Sequence, residues 1–276
     1  MKVRAAQKGD KPGVKALCAR IWSDDYVPEV FDQWVRDRRG RLWVAVEGDR
    51  VVGVAKLTVA PSHEAWLHGL RVHPDYRRRG IATALLAHRL ARARQLGARV
   101  ARLDTADDNV AVRRLVRRSG FRQIARIAGY VARPLAGGRP RRATARELPS
   151  LWGLVRSARA MLHEAHFARR IARDDIAHAI RARGCFVAGA PGRPSAVALI
   201  EDGSTGHHRG SRLVVTVVAG APRAMRDLLR ALRAEAGARG FAHASIAAPD
   251  ALWPGVRSAG YRRRWPETML IFERRL

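Results

Sequence analysis

Residues 66–97 constrain this chain more than any other stretch, because they read as strand, tight turn and helix in succession. Apolar and polar side chains alternate from Trp66 to Val72, the period of a strand with one buried face. Pro74 and Asp75 break that strand. Beyond them the apolar residues fall at Ile81, Leu85, Leu86 and Leu90, which is helix spacing, and Gly97 after Leu96 is placed to stop the helix. Between strand and helix lie Arg77, Arg78, Arg79 and Gly80. The first turn of a helix has backbone N–H groups without intrahelical partners and carries partial positive charge. Gly80 lets a ligand approach the backbone closely, and the small Ala82 keeps the next turn low. Residues Arg77 to Thr83, including Ile81, therefore form an anion site built mostly from backbone, suited to a diphosphate.

With Val72-His73-Pro74 ahead of it, Arg77-Arg78-Arg79-Gly80-Ile81-Ala82 resembles the acetyl-CoA loop of the GCN5-related N-acetyltransferases, (Arg or Gln)-x-x-Gly-x-(Gly or Ala). Asn109 and Gly120-Phe121 match further marks of that family. The resemblance covers about residues 1–134 and implies an α+β fold with a central mixed, mostly antiparallel sheet flanked by helices. It implies acetyl-CoA as co-substrate, with backbone at Leu70, Arg71 and Val72 pairing with the pantetheine arm and Asn109 hydrogen-bonding it. It also implies that the connection between the first two helices borders the acceptor pocket. That connection carries Asp24, Asp25 and Tyr26 beside Trp22, and in so basic a chain paired carboxylates suit a cationic amine. A helix-capping role for Ser23 or Asp24 is the competing reading.

Cysteine and charge bound the partners. The 276 residues contain two cysteines, Cys18 and Cys185, far apart, which fits a reduced, cytoplasmic protein. There is no run of about 18 apolar residues, so no membrane span is expected. The net charge of +29 suits an anionic partner such as CoA. Because the arginines are scattered and no nucleic-acid motif stands out, a nucleic-acid partner is not expected. A monomer or homodimer remains open.

Before the loop, strands are expected over 3–6, 41–47, 51–59 and 64–72, with helices over 12–22 and 29–38. A strand over 99–105, a helix over 110–118 and a β-prone run over 121–133 follow. Residues 135–142, rich in Gly, Pro and Arg, have the composition of a linker. The pattern then starts again: a strand over 143–148, helices over 151–165 and 174–183, a hairpin over 185–201, strands over 213–219 and 242–247, and a helix over 222–236. Arg257-Ser258-Ala259-Gly260-Tyr261-Arg262 echoes Arg117-Arg118-Ser119-Gly120-Phe121-Arg122, so residues 143–276 read as a diverged second copy of 1–134. At the place equivalent to the loop stands Gly220-Ala221-Pro222-Arg223, without the Gly at the close-approach position. A CoA site is therefore expected only in the first domain.

The base and the acid are open. Alternation places Glu64, Trp66, His68 and Leu70 on one strand face. Some relatives carry a glutamate where this chain has Trp66, which leaves Glu64 and His68 as candidate general bases, directly or through water. Many relatives carry a tyrosine acid where this chain has Val116; Tyr76 and Tyr130 are possible substitutes. Those departures leave a non-catalytic acyl-CoA or metabolite sensor as the rival to an N-acetyltransferase acting on a small amine or amino acid, with a protein amine as the alternative acceptor. His163-Glu164-Ala165-His166 pairs two histidines without a further ligand, and no metal is expected.

Overall fold

Runs of Val, Ala and Trp between Gly-containing turns build the first strands, and two short helices cover one face of them. In chain order these are β1 (Lys2–Ala5), α1 (Lys11–Ala19), α2 (Val27–Arg36), β2 (Gly40–Glu47), β3 (Arg50–Val59), β4 (Glu64–Val72), α3 (Ile81–Gln95), β5 (Val100–Ala106) and α4 (Val110–Arg118). The second half holds β6 (Arg122–Ala132), β7 (Arg141–Arg142), α5 (Leu148–Ser157), β8 (Met161–Glu164), β9 (Phe167–Arg170), α6 (Arg173–Arg181), β10 (Cys185–Ala190) and β11 (Arg193–Asp202). It ends with β12 (Arg212–Gly220), α7 (Pro222–Ala238), β13 (His243–Pro249), α8 (Trp253–Ser258), β14 (Arg262–Arg263) and β15 (Met269–Arg275). The structure is a computed structural model that describes residues 1–276 except 61, 159, 165, 166 and 203–211. It divides into two units, Met1–Ile124 with Ile271–Leu276, and Ala125–Leu270.

In the first unit β1, β2, β3 and β4 pair antiparallel in that order, and β5 joins β4 in parallel. Helices α1 and α2 lay Val14, Leu17, Val30, Phe31 and Trp34 on Leu42, Val44 and Val54. Burying each such side chain contributes about 1.5–3 kcal/mol. Helix α3 covers the other face. A Cβ on Gly53 would lie 2.8 Å from Ile81 Cγ2, so only glycine lets α3 come this close.

In the second unit the order is β6-β13-β12-β11-β10-β7, with β12 and β13 parallel and the remaining neighbours antiparallel. A device from the first unit recurs here. Arg4 grips Asp10 with two bonds of 2.7 Å, and Arg141 grips Glu147 with bonds of 2.9 and 2.8 Å, both pairs six residues apart. Each acid also accepts the backbone N–H three residues before it, Gln7 or Thr144, and each is followed two residues later by a proline, Pro12 or Pro149. Both acids are held below the usual carboxylate range, Glu147 at about 2, chiefly by the hydrogen bonds from the arginine.

Three expectations change. Residues 143–148 are not a strand: Thr144 and Glu147 form a capping box on the 3₁₀ turn Ala145–Glu147, which leads directly into α5, so the acid-and-hydroxyl pattern signals a helix start. The helix expected over 151–165 ends at Ser157, and β8 and β9 pair as a hairpin from Met161↔Arg170 to Glu164↔Phe167. His163 and Glu164 therefore lie on a strand, while His166 and the His207-His208 pair lie outside the described residues. Where a linker is expected over 135–142, the first unit ends at Ile124 and takes in Ile271–Leu276. Ala128, Tyr130 and Ala132 belong to the second core, and Arg139 of the expected linker holds the buried Glu235 carboxylate at 2.6 Å.

Candidate active site

Strands β4 and β5 pair only over Glu64↔Val100, Ala65↔Ala101 and Trp66↔Arg102. Beyond Trp66 the ladder between them ends, while β4 runs on to Val72 and β5 to Ala106. On its other side β4 stays paired with β3, but through a bulge: Lys56 faces His68 and Val54 faces Arg71, so one extra residue of β4 is accommodated at Gly69-Leu70. Gly69 sits at φ +64, and a Cβ there would lie 2.7 Å from the Trp34 ring. The bulge shifts the alternation. Arg71, rather than the expected Leu70, shares the face of Glu64, Trp66 and His68. Leu70 and Val72 are half-buried, and Val72 pairs with Gly53.

The arginine-glycine turn leads off the end of β4. His73 is buried; Arg50 Nη2 lies 2.8 Å from its Nε2, and its Nδ1 accepts the Asp75 N–H at 3.3 Å. Burial first, then the charges of Arg50, Arg20 and Arg77, hold the imidazole pKa down against Asp75. Tyr76 packs edge-on against His73, and Arg79 lies over its ring at 4.9 Å. Arg77, Arg78, Arg79 and Gly80 are exposed, Arg78 adopts φ +62, and Gly80 caps α3 at φ +77. Nothing lies within 4 Å of a Cβ placed on Gly80, so the space a ligand needs is open. Ile81 is core, Ala82 half-buried and Thr83 exposed. The first α3 backbone bond runs from Ala84 N to Gly80 O, so the N–H groups of Ile81, Ala82 and Thr83 have no intrahelical acceptor. Asn109 caps α4 by accepting the Val112 N–H at 3.2 Å through Oδ1, which leaves its amide N–H groups to hold anything else.

The expected acceptor residues make a different arrangement. Asp25 does not present a free carboxylate: Arg71 grips it through Nε at 2.6 Å and Nη2 at 3.0 Å, and the Val27 N–H adds a bond of 3.1 Å. Burial pushes this carboxyl up, but Arg71 and the Val27 N–H together hold it below the usual range. Arg71 also lies 4.5 Å from the Trp22 ring centroid and 5.6 Å from that of Tyr26. Tyr26 meets Trp34 edge-on at 5.8 Å, and Trp34 meets His68 at 4.8 Å. Asp24 is exposed. The Asp25 side chain is 1% exposed, so removing its partner would strand a buried charge. Arg71→Ala is expected to lower stability by about 3–5 kcal/mol in urea unfolding. The folded pKa is depressed, so the pair's contribution is complete above the unfolded value of about 3.9 and fades as pH falls through the folded one. The Arg71→Ala deficit should therefore shrink toward pH 3.

Glu64 lies at the paired end of β4, where Arg102 Nη1 stands 2.8 Å from its Oε2 while Arg102 Nε binds Glu273 Oε2 at 2.8 Å. His68 shares a 3.1 Å contact between Nε2 and Thr58 Oγ1. The carboxylate at the parting of the strands is Asp104, which sequence reasoning passed over. Arg102 stands opposite Trp66, so alternation puts Asp104 on the same face, two residues past the split. Burial pushes its carboxyl up to about 6, and its charge acts on the Tyr26 phenol, itself raised to about 12 chiefly by burial. An acid two residues after Arg102, inside a strand of only seven residues, was the available signal. The tyrosines proposed as acids lie elsewhere: Tyr76 is on the arginine-glycine turn, and Tyr130 is in the second core. Val116 is 1% exposed and fills the first unit's interior. Cys18 and Cys185 are buried, and burial drives both thiols up to about 12. Among the described residues no group of three or more His, Cys, Asp or Glu could hold a metal.

A parallel strand pair that parts after Trp66 and Arg102 thus leads, through β4, into an arginine-glycine helix start. Residues 10–121 match the model of the acetyltransferase (GNAT) family. Among solved structures, a GCN5-related N-acetyltransferase from Sphaerobacter thermophilus superposes with a TM-score of 0.69 at 13% identity, covering 99% of this chain and 95% of that one. One from Kribbella flavida gives 0.54 at 20% identity over 99% and 71%. At these identities they speak to fold alone. No curated protein matches the sequence, and no described helix is long and apolar enough to cross a membrane.

Proposed function

We propose that the chain is an acetyl-CoA-dependent N-acetyltransferase that moves the acetyl group to a primary amine of a small molecule or amino acid by direct attack in a ternary complex. The observation that carries this is the parting of β4 and β5 after Trp66 and Arg102, in the same unit as the open helix start at Gly80. Free backbone along β4 suits the amide-rich pantetheine arm, and the bulge at Gly69-Leu70 turns its groups toward a carbonyl. Arg77, Arg78, Arg79 and the α3 N–H groups suit the diphosphate. The amine nitrogen forms the new C–N bond, the C–S bond breaks, and Asp104 takes the proton that the nitrogen loses. A carboxylate near 6 is ionised at neutral pH yet basic enough to help. The thiolate leaves without a tyrosine acid at Val116, which its ordinary pKa near 8.5 permits.

Neither cysteine is disposed to carry an acetyl group, since a buried thiol with a raised pKa is inert. Initial rates with acetyl-CoA and amine both varied should give intersecting lines. Parallel lines, the mark of an acetyl-enzyme, would refute direct attack.

The second unit reads as a diverged copy without a CoA site. Its order of strand, two helices, three antiparallel strands, helix, parallel strand and helix repeats the first unit's, with the β8–β9 hairpin inserted. Its α7 begins at Pro222, which offers no N–H, and lacks the arginine-glycine loop.

A further inference from the structure

Trp22 is one of the few large apolar side chains left open on this chain, with 50% of its surface exposed, and its position accounts for that. The Arg71 guanidinium lies 4.5 Å from the ring centroid, on one side of the indole. A ring that is covered on one side and half exposed presents its other face to solvent. Arg71 also lies 5.6 Å from the Tyr26 ring centroid, and Arg71 on β4 and Asp104 on β5 stand on the same face of the sheet, so Trp22 and the carboxylate beyond the strand split share one side of it. Trp34 and His68 extend this aromatic wall down to the bulge of β4. The acid that could have drawn a cation into this wall, Asp25, is consumed by Arg71.

We propose that the open face of Trp22 is an acceptor platform, and that the acceptor is an amine carried on a planar aromatic group rather than a polyamine. This rests on the acetyltransferase reading, because the wall borders the place where an amine would meet a thioester. A planar group stacks on the bare indole face, while Asp25, paired with Arg71, is not left to hold the further positive charges of a polyamine. A primary amine on a short arm then extends toward Asp104.

The test is calorimetric titration of the full-length, CoA-saturated protein with 2-phenylethylamine and, separately, with spermidine. Phenylethylamine is expected to bind and spermidine to bind more weakly. Trp22→Ala should weaken phenylethylamine about five- to tenfold, the scale of one aromatic contact. Trp22→Phe should restore most of that, and CoA affinity should not change in either variant. Equal phenylethylamine affinity in Trp22→Ala, tighter binding of spermidine, or no binding of the aryl amine would each overturn the platform. Aryl-amine binding that depends on Trp22 but yields no acetylated product would sink the transferase reading alone. Acetylated spermidine with phenylethylamine left unbound would sink the platform alone.

Discussion

Gly80→Glu is expected to weaken acetyl-CoA binding at least a hundredfold in a calorimetric titration, about 2.7 kcal/mol. Two effects combine. The helix start at Gly80 has open space where a Cβ would go, so a carboxylate there would stand in the volume assigned to the diphosphate. Like unit charges about 4 Å apart repel by about 4 kcal/mol at an effective dielectric of 20. The backbone adds its own cost, since φ is +77 and a side chain in that region costs about 1–2 kcal/mol. Gly80→Asn separates the two, because asparagine tolerates the left-handed conformation and carries no charge. It should lose clearly less affinity than the glutamate variant. Undiminished binding in Gly80→Glu would mean the arginine-glycine turn is not the diphosphate site.

Asp104→Asn is expected to lower kcat/KM for acetyl transfer by about 10²–10⁴ while leaving acetyl-CoA affinity intact. The pH profile makes the assignment specific. A general base works ionised, so the wild-type rate should climb as pH rises through about 6, the value to which burial lifts this carboxyl. In Asp104→Asn that limb should vanish, leaving only the rise set by ionisation of the acceptor amine itself. Loss of fold is not the expected cause of a drop. A carboxyl whose folded pKa is raised opposes folding once the pH exceeds its unfolded value, so a neutral asparagine should be no less stable at neutral pH. A persisting limb near pH 6 in the variant would return the role to Glu64 or His68.

The strand, turn and helix of residues 66–97 were legible because their determinants are local. Arg77 to Ala82, Pro74 and the apolar spacing from Ile81 act within a few residues, and the structure places strand, turn and helix there. The bulge at Gly69 was not legible, because a strand pattern alone does not reveal an added residue. It moved Arg71 onto the face assigned to Leu70. The Arg71–Asp25 pair joins positions 46 residues apart, and its strength comes from burial that no spacing displays. Asp104 was hidden for a related reason: its altered acidity depends on where β5 leaves β4, which only the register of Trp66 against Arg102 shows. Around Thr144 the fault was different. A capping box was present in the sequence, and the β-prone reading overrode it.

The central claim is that this chain transfers acetyl from CoA to an amine. The most direct test is to incubate the full-length protein with acetyl-CoA and a panel of aryl, aliphatic and amino-acid amines, following released thiol and acetylated amine by mass together. The account predicts equal amounts of the two with at least one amine, and neither product with Gly80→Glu. Thiol release without acetylated amine would make the chain a thioesterase. Tight CoA binding with neither product, across the panel, would make it a sensor.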